Sequence, residues 1–300
     1  FEHAKKLVVL SFDEIKGILP ILPDPSPLIV IANPARSGST LLQHMLNQVN
    51  GVVSLGEPNP ALYVRYFRDI VERTCTHSEA EEMLSWSIRL LTAPWAGQTV
   101  VLKLRASEMP LLSLLHELRP DAKTIMIYRD AFAVGASWKN QASNWETWGS
   151  DFELEEVSST FLSTKQTQET IRRWMNLSSL DRVPQVIASL SLWMTSMESY
   201  LLALEDGMSA LTVRYDDLIN QPDTALKKLF SYLELDHKEI NSALAVMSED
   251  SQLGTVMARK NGLKNQSSLN DDEMRWINEA LALHPMGLSA EMELAGAALS

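Results

Sequence analysis

The sequence predicts an α/β fold, a parallel β-sheet flanked by helices on both faces, on three observations. Short apolar runs rich in β-branched residues recur along the chain, and segments of helical periodicity separate them. The first run, Leu28-Ile29-Val30-Ile31-Ala32, leads directly into the small-residue turn Pro34-Ala35-Arg36-Ser37-Gly38-Ser39-Thr40 and then into a helical stretch. The chain has 300 residues, 45% of them hydrophobic, enough for a sizeable core.

Taken in order, a strand is expected over 28–33, apolar throughout because both of its faces are covered. The helix at 40–49 begins where the small-residue turn ends, and a short strand follows at 52–55. Helices at 60–73 and 78–92 lead to a strand at 98–104 around Val100-Val101-Leu102, then a helix at 108–118. The run Thr124-Ile125-Met126-Ile127-Tyr128 predicts a strand over 123–128, and a helix at 131–147 continues from it. Trp138, Trp145 and Trp148 share a face if that helix persists, a stripe that reads first as core. Segment 149–182 is acidic and Ser/Thr-rich and reads as a helical excursion, with a helix at 159–177, rather than a boundary. A long helix at 185–205, a strand at 209–215 and helices at 223–234 and 270–282 complete the pattern. No repeat, low-complexity tract or linker interrupts it. One domain over 1–300, its core about 28–282, is the expectation.

Composition narrows the function classes. A net charge of −12 leaves no global electrostatic footprint for nucleic acid or an anionic membrane, so any polyanion must be held by local basic clusters. Cys75 is the only cysteine, which excludes an intrachain disulfide and a cysteine metal cluster. No apolar stretch approaches the ~18 residues of a membrane span. These features point to the cytoplasm. A start at Phe1 leaves open a removed anchor and, with it, the Golgi lumen.

The turn at 34–40 has the make-up of an anion cradle. A strand, a tight turn and a helix N-terminus let backbone N–H groups and the positive end of the helix dipole converge. A nucleoside-triphosphatase loop would place Lys after its second Gly. Here Gly38 is followed by Ser39 and Thr40, and the cation, Arg36, precedes it. A second basic element closes the run at 123–128: Arg129-Asp130, with Ser137 two helical turns on. An arginine at a strand end offers a planar fork for a phosphate. A third element, Arg214-Tyr215-Asp216-Asp217-Leu218 before Gln221-Pro222, follows the last strand, and Arg259-Lys260-Asn261-Gly262 lies farther on.

These elements, in this order, resemble the PAPS-dependent sulfotransferases, whose loop reads P-x-[RK]-S-G-[ST]-[ST]. The resemblance implies that Arg36, Ser37, Gly38, Ser39, Thr40 and Leu41 hold the 5′-phosphosulfate of 3′-phosphoadenosine 5′-phosphosulfate (PAPS). It implies that Arg129, Ser137, Arg259 and Lys260 hold the 3′-phosphate. Tyr215 either lies near the adenine or packs in the core, and Ser251 lines the site. Ala131 stands where family members often have proline. The implied product is adenosine 3′,5′-bisphosphate (PAP), with no metal.

Sulfuryl transfer, like phosphoryl transfer, needs cations at the leaving group and a base at the acceptor. Arg36 and Lys103, the residue ending Val100-Val101-Leu102, are the expected cations. Members that act on phenols and steroids carry K-T-H after this strand, where the chain has Lys103-Leu104-Arg105. Glu57, in Ser54-Leu55-Gly56-Glu57-Pro58, is the expected base, an arrangement closer to the tyrosylprotein branch. His44 is expected to pack or face solvent. The acceptor, a small molecule, peptide or glycan with a hydroxyl or amine, is not legible. Two rival readings remain at this level: a P-loop kinase or triphosphatase, which the missing lysine and missing Mg²⁺ carboxylates disfavour, and a silent PAP-binding module, which needs no base.

Overall fold

The structure is a computed structural model that describes residues 10–23, 25–69, 76–142, 151–248 and 268–294. Helix α1 (Phe12–Ile18) precedes the first strand, β1 (Leu28–Ala32). There follow α2 (Ser39–Leu46), β2 (Val52–Gly56), α3 (Asn59–Asp69), α4 (His77–Thr92) and β3 (Thr99–Lys103). A 3₁₀ turn (Ala106–Leu111) runs into α5 (Leu112–Leu118), and β4 (Lys123–Tyr128) leads to α6 (Ala131–Ala142). The excursion holds β5 (Asp151–Phe152), α7 (Leu154–Phe161), α8 (Lys165–Ser178) and β6 (Val183–Pro184). Then come α9 (Gln185–Glu205), β7 (Ala210–Arg214), α10 (Tyr215–Asn220), α11 (Pro222–Leu233), α12 (Ile240–Ala245) and α13 (Asp271–Ala282).

Five strands form one parallel sheet in the order β2-β3-β1-β4-β7. The strand period of two divides each strand between two cores. In β1, Leu28, Val30 and Ala32 enter one cluster and Ile29 and Ile31 the other. In β4, Met126 and Tyr128 part from Ile125 and Ile127 in the same way. One face is covered by α2, α10, α11 and α12 through Leu42, Leu218, Leu226 and Ile240. The other carries a thicker layer containing Leu84, Trp138, Trp174, Trp193 and Ile277.

At the centre of the thicker layer lies α9. By length and composition it is apolar enough to cross a bilayer, which reading the sequence for apolar runs missed because serine and threonine interrupt it. Here 83% of its most apolar window is buried within the fold. Its hydroxyls turn back onto the helix: the Ser199 Oγ–H donates to the Thr195 carbonyl at 2.7 Å.

The strands lie within a residue of expectation, and β4 spans 123–128 as read. Three differences have local causes. The helix expected at 159–177 is two helices. Leu162 ends α7 in the left-handed region (φ 50°), and Thr164 caps α8 by accepting from the Thr167 N–H at 3.2 Å. The expected helix at 108–118 opens as a 3₁₀ turn containing Pro110, whose ring and missing N–H keep the regular α-helix from running back through it. Two-residue β5 and β6 pair antiparallel, Asp151 with Pro184 and Phe152 with Val183, and close the base of the excursion. Elements this short carry no periodic signal. The helix expected to 147 is described to Ala142, and Cys75, Trp145 and Trp148 lie outside the described residues.

Helix α2 transmits the packing of its face to the loop ahead of it. Leu42, fully buried there, should cost about 2–5 kcal/mol of stability when changed to Ala, by lost burial plus a cavity. Urea unfolding followed by circular dichroism measures it.

Candidate functional site

The carboxyl ends of all five strands converge on one edge of the sheet, where open α/β sheets hold ligands. Register makes the ends level. Gly56 pairs with Lys103 across β2 and β3, and Ile31 pairs with Lys103 across β3 and β1. The ladder runs on past the strands: the Glu57 N–H donates to the Lys103 carbonyl at 2.8 Å and the Leu104 N–H to the Ile31 carbonyl at 3.0 Å.

The loop after β1 is built on Asn33, buried beneath it. Its side-chain amide donates to the Leu104 carbonyl at 2.8 Å, and its Oδ1 accepts from the Ala35 N–H at 3.1 Å. Ala35 (φ 62°), Arg36 (φ 51°) and Gly38 (φ 83°) are all left-handed, a conformation rare outside glycine that turns successive N–H groups inward. Gly38 is the N-cap of α2 and supplies no side-chain acceptor, so the first-turn N–H groups of α2 stay available to an anion. Ser37 is fully buried, and its Oγ has no hydrogen-bond partner among the described residues. Leu41 gives its side chain to the core, leaving only its backbone for the loop.

Beside the loop stand two arginines. Arg36 Nε donates to the Ser137 Oγ at 2.9 Å, which brings together groups 101 residues apart. The Arg129 guanidinium lies over the Tyr215 ring at 4.9 Å, and its buried Nε has no hydrogen-bond partner among the described residues. The Arg129 carbonyl is fixed from the core by the Trp193 indole N–H at 3.0 Å. Burial first, and the neighbouring Arg129 charge second, push the Arg36 guanidinium below its ordinary range. Two like charges facing each other in a partly dry site form a receptor for an anion.

On the other side of the loop is a four-charge cluster. Lys103 is buried, and its Nζ reaches both the Glu57 Oε1 at 2.6 Å and the Thr40 Oγ1 at 3.2 Å. Glu57 is left-handed (φ 51°) and partly exposed. Arg105 Nε lies 3.6 Å from the Glu57 Oε2, and Arg105 Nη1 lies 3.2 Å from the Glu108 Oε1. Glu108 is fully buried, and burial pushes its carboxyl up to about 7 against the pull of Arg105.

Of the residues picked from sequence, the structure brings Arg36, Ser37, Gly38, Thr40, Glu57, Lys103, Arg129, Ser137 and Tyr215 to this edge, with Ser39 opening α2 beside them. His44 faces solvent, and Trp138 belongs to the core. Ser251, Arg259 and Lys260 lie outside the described residues. Asn33, Arg105 and Glu108 were missed as members of the site. Arg105 was noted only as the place of an absent histidine, and Arg105 followed by Glu108 at capping-box spacing was the available signal. Among the described residues, His77, Glu81 and Glu117 bring ligand atoms within 4.8 Å of one another, a group that sequence spacing did not suggest.

Comparison with known proteins gives consistent matches. The family model described as "Sulfotransferase domain" matches residues 26–277. Nodulation protein NoeE of Sinorhizobium fredii is 25% identical over 274 residues, covering 85% of this chain and 61% of that protein. The chain thus spans about three fifths of that relative's length. The sulfotransferase domain from the curacin biosynthetic pathway superposes with a TM-score of 0.51 at 16% identity, covering 90% of this chain and 93% of that one. The sulfotransferase STF9 from Mycobacterium avium gives 0.50 at 14%, covering 95% and 82%. At these identities the two structures share a fold with this chain.

Two outcomes follow from the geometry. A methyl group on Gly38 would stand 2.6 Å from the Tyr215 Cε2, at a φ that disfavours any side chain. Gly38→Ala should therefore lower the melting temperature and displace Tyr215, read by differential scanning calorimetry and tyrosine fluorescence. Glu108 holds its proton more tightly folded than unfolded, where its value is near 4.5, so its contribution to stability is greatest below about 4.5 and is lost as pH rises through about 7. Glu108→Gln should flatten the fall in stability across that window, measured by urea midpoints at pH 5 and pH 8.

Proposed function

Since the chain belongs to the sulfotransferase family, we propose that it moves the sulfuryl group of PAPS to a hydroxyl or amine, with Glu57 as base and Arg36 and Lys103 at the leaving group. The observation that carries this reading is the meeting of Lys103 Nζ with both the Glu57 carboxylate and the Thr40 hydroxyl. It sets a base and a cation at the mouth of the anion loop, as in-line transfer requires.

The residues fit the cosubstrate. The unpartnered Ser37 Oγ and Arg129 Nε are buried polar atoms of the kind that a bound anion satisfies. When bound, PAPS supplies an activated sulfuryl group on a phosphate leaving group. The loop amides, Arg36 and Lys103 stabilise negative charge on that side. Arg129 and Ser137 recognise the 3′-phosphate, with Tyr215 stacked against Arg129 to hold its plane. Glu57, partly exposed, takes the acceptor's proton, and Lys103 moves between base and loop without leaving hydrogen-bond reach of either. Transfer by these groups calls for no metal. Arg259, Lys260 and Ser251 enter this reading on family resemblance alone.

PAP should bind far more tightly than AMP, and Arg129→Ala should abolish most of the difference, since charge-assisted hydrogen bonds of about 1.5–3 kcal/mol each are lost. Calorimetry with both nucleotides and ATP measures this. Equal affinity for PAP and AMP would refute the 3′-phosphate assignment, and preference for ATP would favour a kinase-like protein.

Glu57→Gln keeps size and hydrogen bonding but cannot accept a proton. Transfer from labelled PAPS, scored across a panel of phenols, alcohols, amines and glycans, should fall roughly 10²–10⁴-fold with PAP affinity nearly unchanged. Near-normal turnover in this variant would show that another group is the base.

A further inference from the structure

The Glu57 carboxylate has a cation on each oxygen, Lys103 at 2.6 Å from Oε1 and Arg105 at 3.6 Å from Oε2. Lys103 belongs to the transfer machinery already described. Arg105 has no such role, yet it is held from three directions. Its Nη2 donates to the Asn59 Oδ1 at 3.0 Å, on α3. Its Nη1 and its own backbone N–H both go to Glu108, at 3.2 Å to Oε1 and 2.7 Å to Oε2. Only its Nε remains for Glu57.

We propose that Glu108 is a positioning residue of the transfer: acting through Arg105, it fixes where the second cation stands beside the Glu57 carboxylate. The inference rests on Glu57 being the base. Glu108 is fully buried and cannot touch a substrate, so it acts only by way of its partner. A capping group alone would not need that burial, because the capping boxes at Ser11–Glu14 and Thr76–Glu79 do the same work with exposed glutamates. Burying a carboxylate is costly unless its charge is used, and here both oxygens are spent on Arg105.

The charge arithmetic gives the direction. Two carboxylates face two cations. With Glu108 neutral, Arg105 and Lys103 both serve Glu57, which then holds a proton less well. With Arg105 neutral, Glu57 keeps Lys103 alone and holds a proton better. The charged groups facing Glu108 are Arg105 and Glu57; Asn59 of α3 goes to Arg105, and the Ser196 hydroxyl of α9 donates to the Ala106 carbonyl at 3.3 Å. Because burial lifts Glu108 to about 7, its charge is adjustable near neutral pH.

The test reads Glu57 directly in the full chain labelled with ¹³C-carboxyl glutamate, its signal assigned by its loss in Glu57→Gln. In the parent the Glu57 signal should carry a second inflection near pH 7, where Glu108 ionises; Glu108→Gln should remove it, and Arg105→Gln should raise the main Glu57 midpoint by about half a pH unit or more. A parent without the second inflection, or a Glu108→Gln variant that keeps it, overturns the proposal, as does an unmoved main midpoint in Arg105→Gln. If Glu108→Gln does not fold, Arg105→Lys takes its place. A lysine lacks the planar fork that fixes both carboxylates at once and so must shift Glu57, and an unmoved midpoint again overturns the proposal. Turnover of Glu57→Gln tests the base assignment separately, so the two readings fail by different measurements.

Discussion

The level carboxyl edge of the parallel sheet is the constraint on which the rest depends. In a parallel ladder with Gly56, Ile31 and Lys103 abreast, the residues just past β1, β2 and β3 necessarily emerge side by side. The anion loop, Glu57 and Lys103 therefore meet without a dedicated binding element. β4 and β7 add Arg129 and Tyr215 on the far side of β1 by the same logic. A shift of β3 by one residue against β1 would send Lys103 to the opposite face, because side chains alternate. The double core on the two faces of β1 and β4 is what enforces the register.

Along that edge the electrostatics are uneven. Arg36 and Arg129 confront each other on one side of the loop, where the Arg129 charge adds to burial in weighing against the charge on Arg36. The opposite side sets two carboxyl groups, Glu57 and Glu108, against two cations, Lys103 and Arg105. The arginine side is thus the more favourable place for an anion, with the Glu57 carboxylate on the opposite side of the loop. Against a net charge of −12 for the whole chain, the two arginines are a local reversal of sign. Backbone strain is concentrated at the same place, in Ala35, Arg36 and Glu57, and it is sustained by the buried Asn33 and by the ladder hydrogen bond of Glu57.

Rigidity for the edge comes from beneath it. The indole of Trp193 and the hydroxyl of Ser196, both on α9, reach the Arg129 carbonyl and the Ala106 carbonyl. One long buried helix thus anchors both flanks of the site, while its apolar side chains hold it in the core.

By itself the sequence determined the element types, the sheet's parallel character and the anion loop. Apolar runs alternating with helical periods have one economical packing, and the loop's small residues and its Arg-before-Gly order are local signals. Local signals also placed β4 to the residue, since Lys123 and Arg129 bracket its apolar run. Only the tertiary structure decided which charges face which. Ser137 on Arg36 and Glu57 on Lys103 join positions 101 and 46 residues apart, and Glu108 counts as part of the site only once Arg105 is seen between it and Glu57. Periodicity reports the face on which a residue lies. Strand order and register decide what lies opposite, and those follow from the packing of the whole sheet.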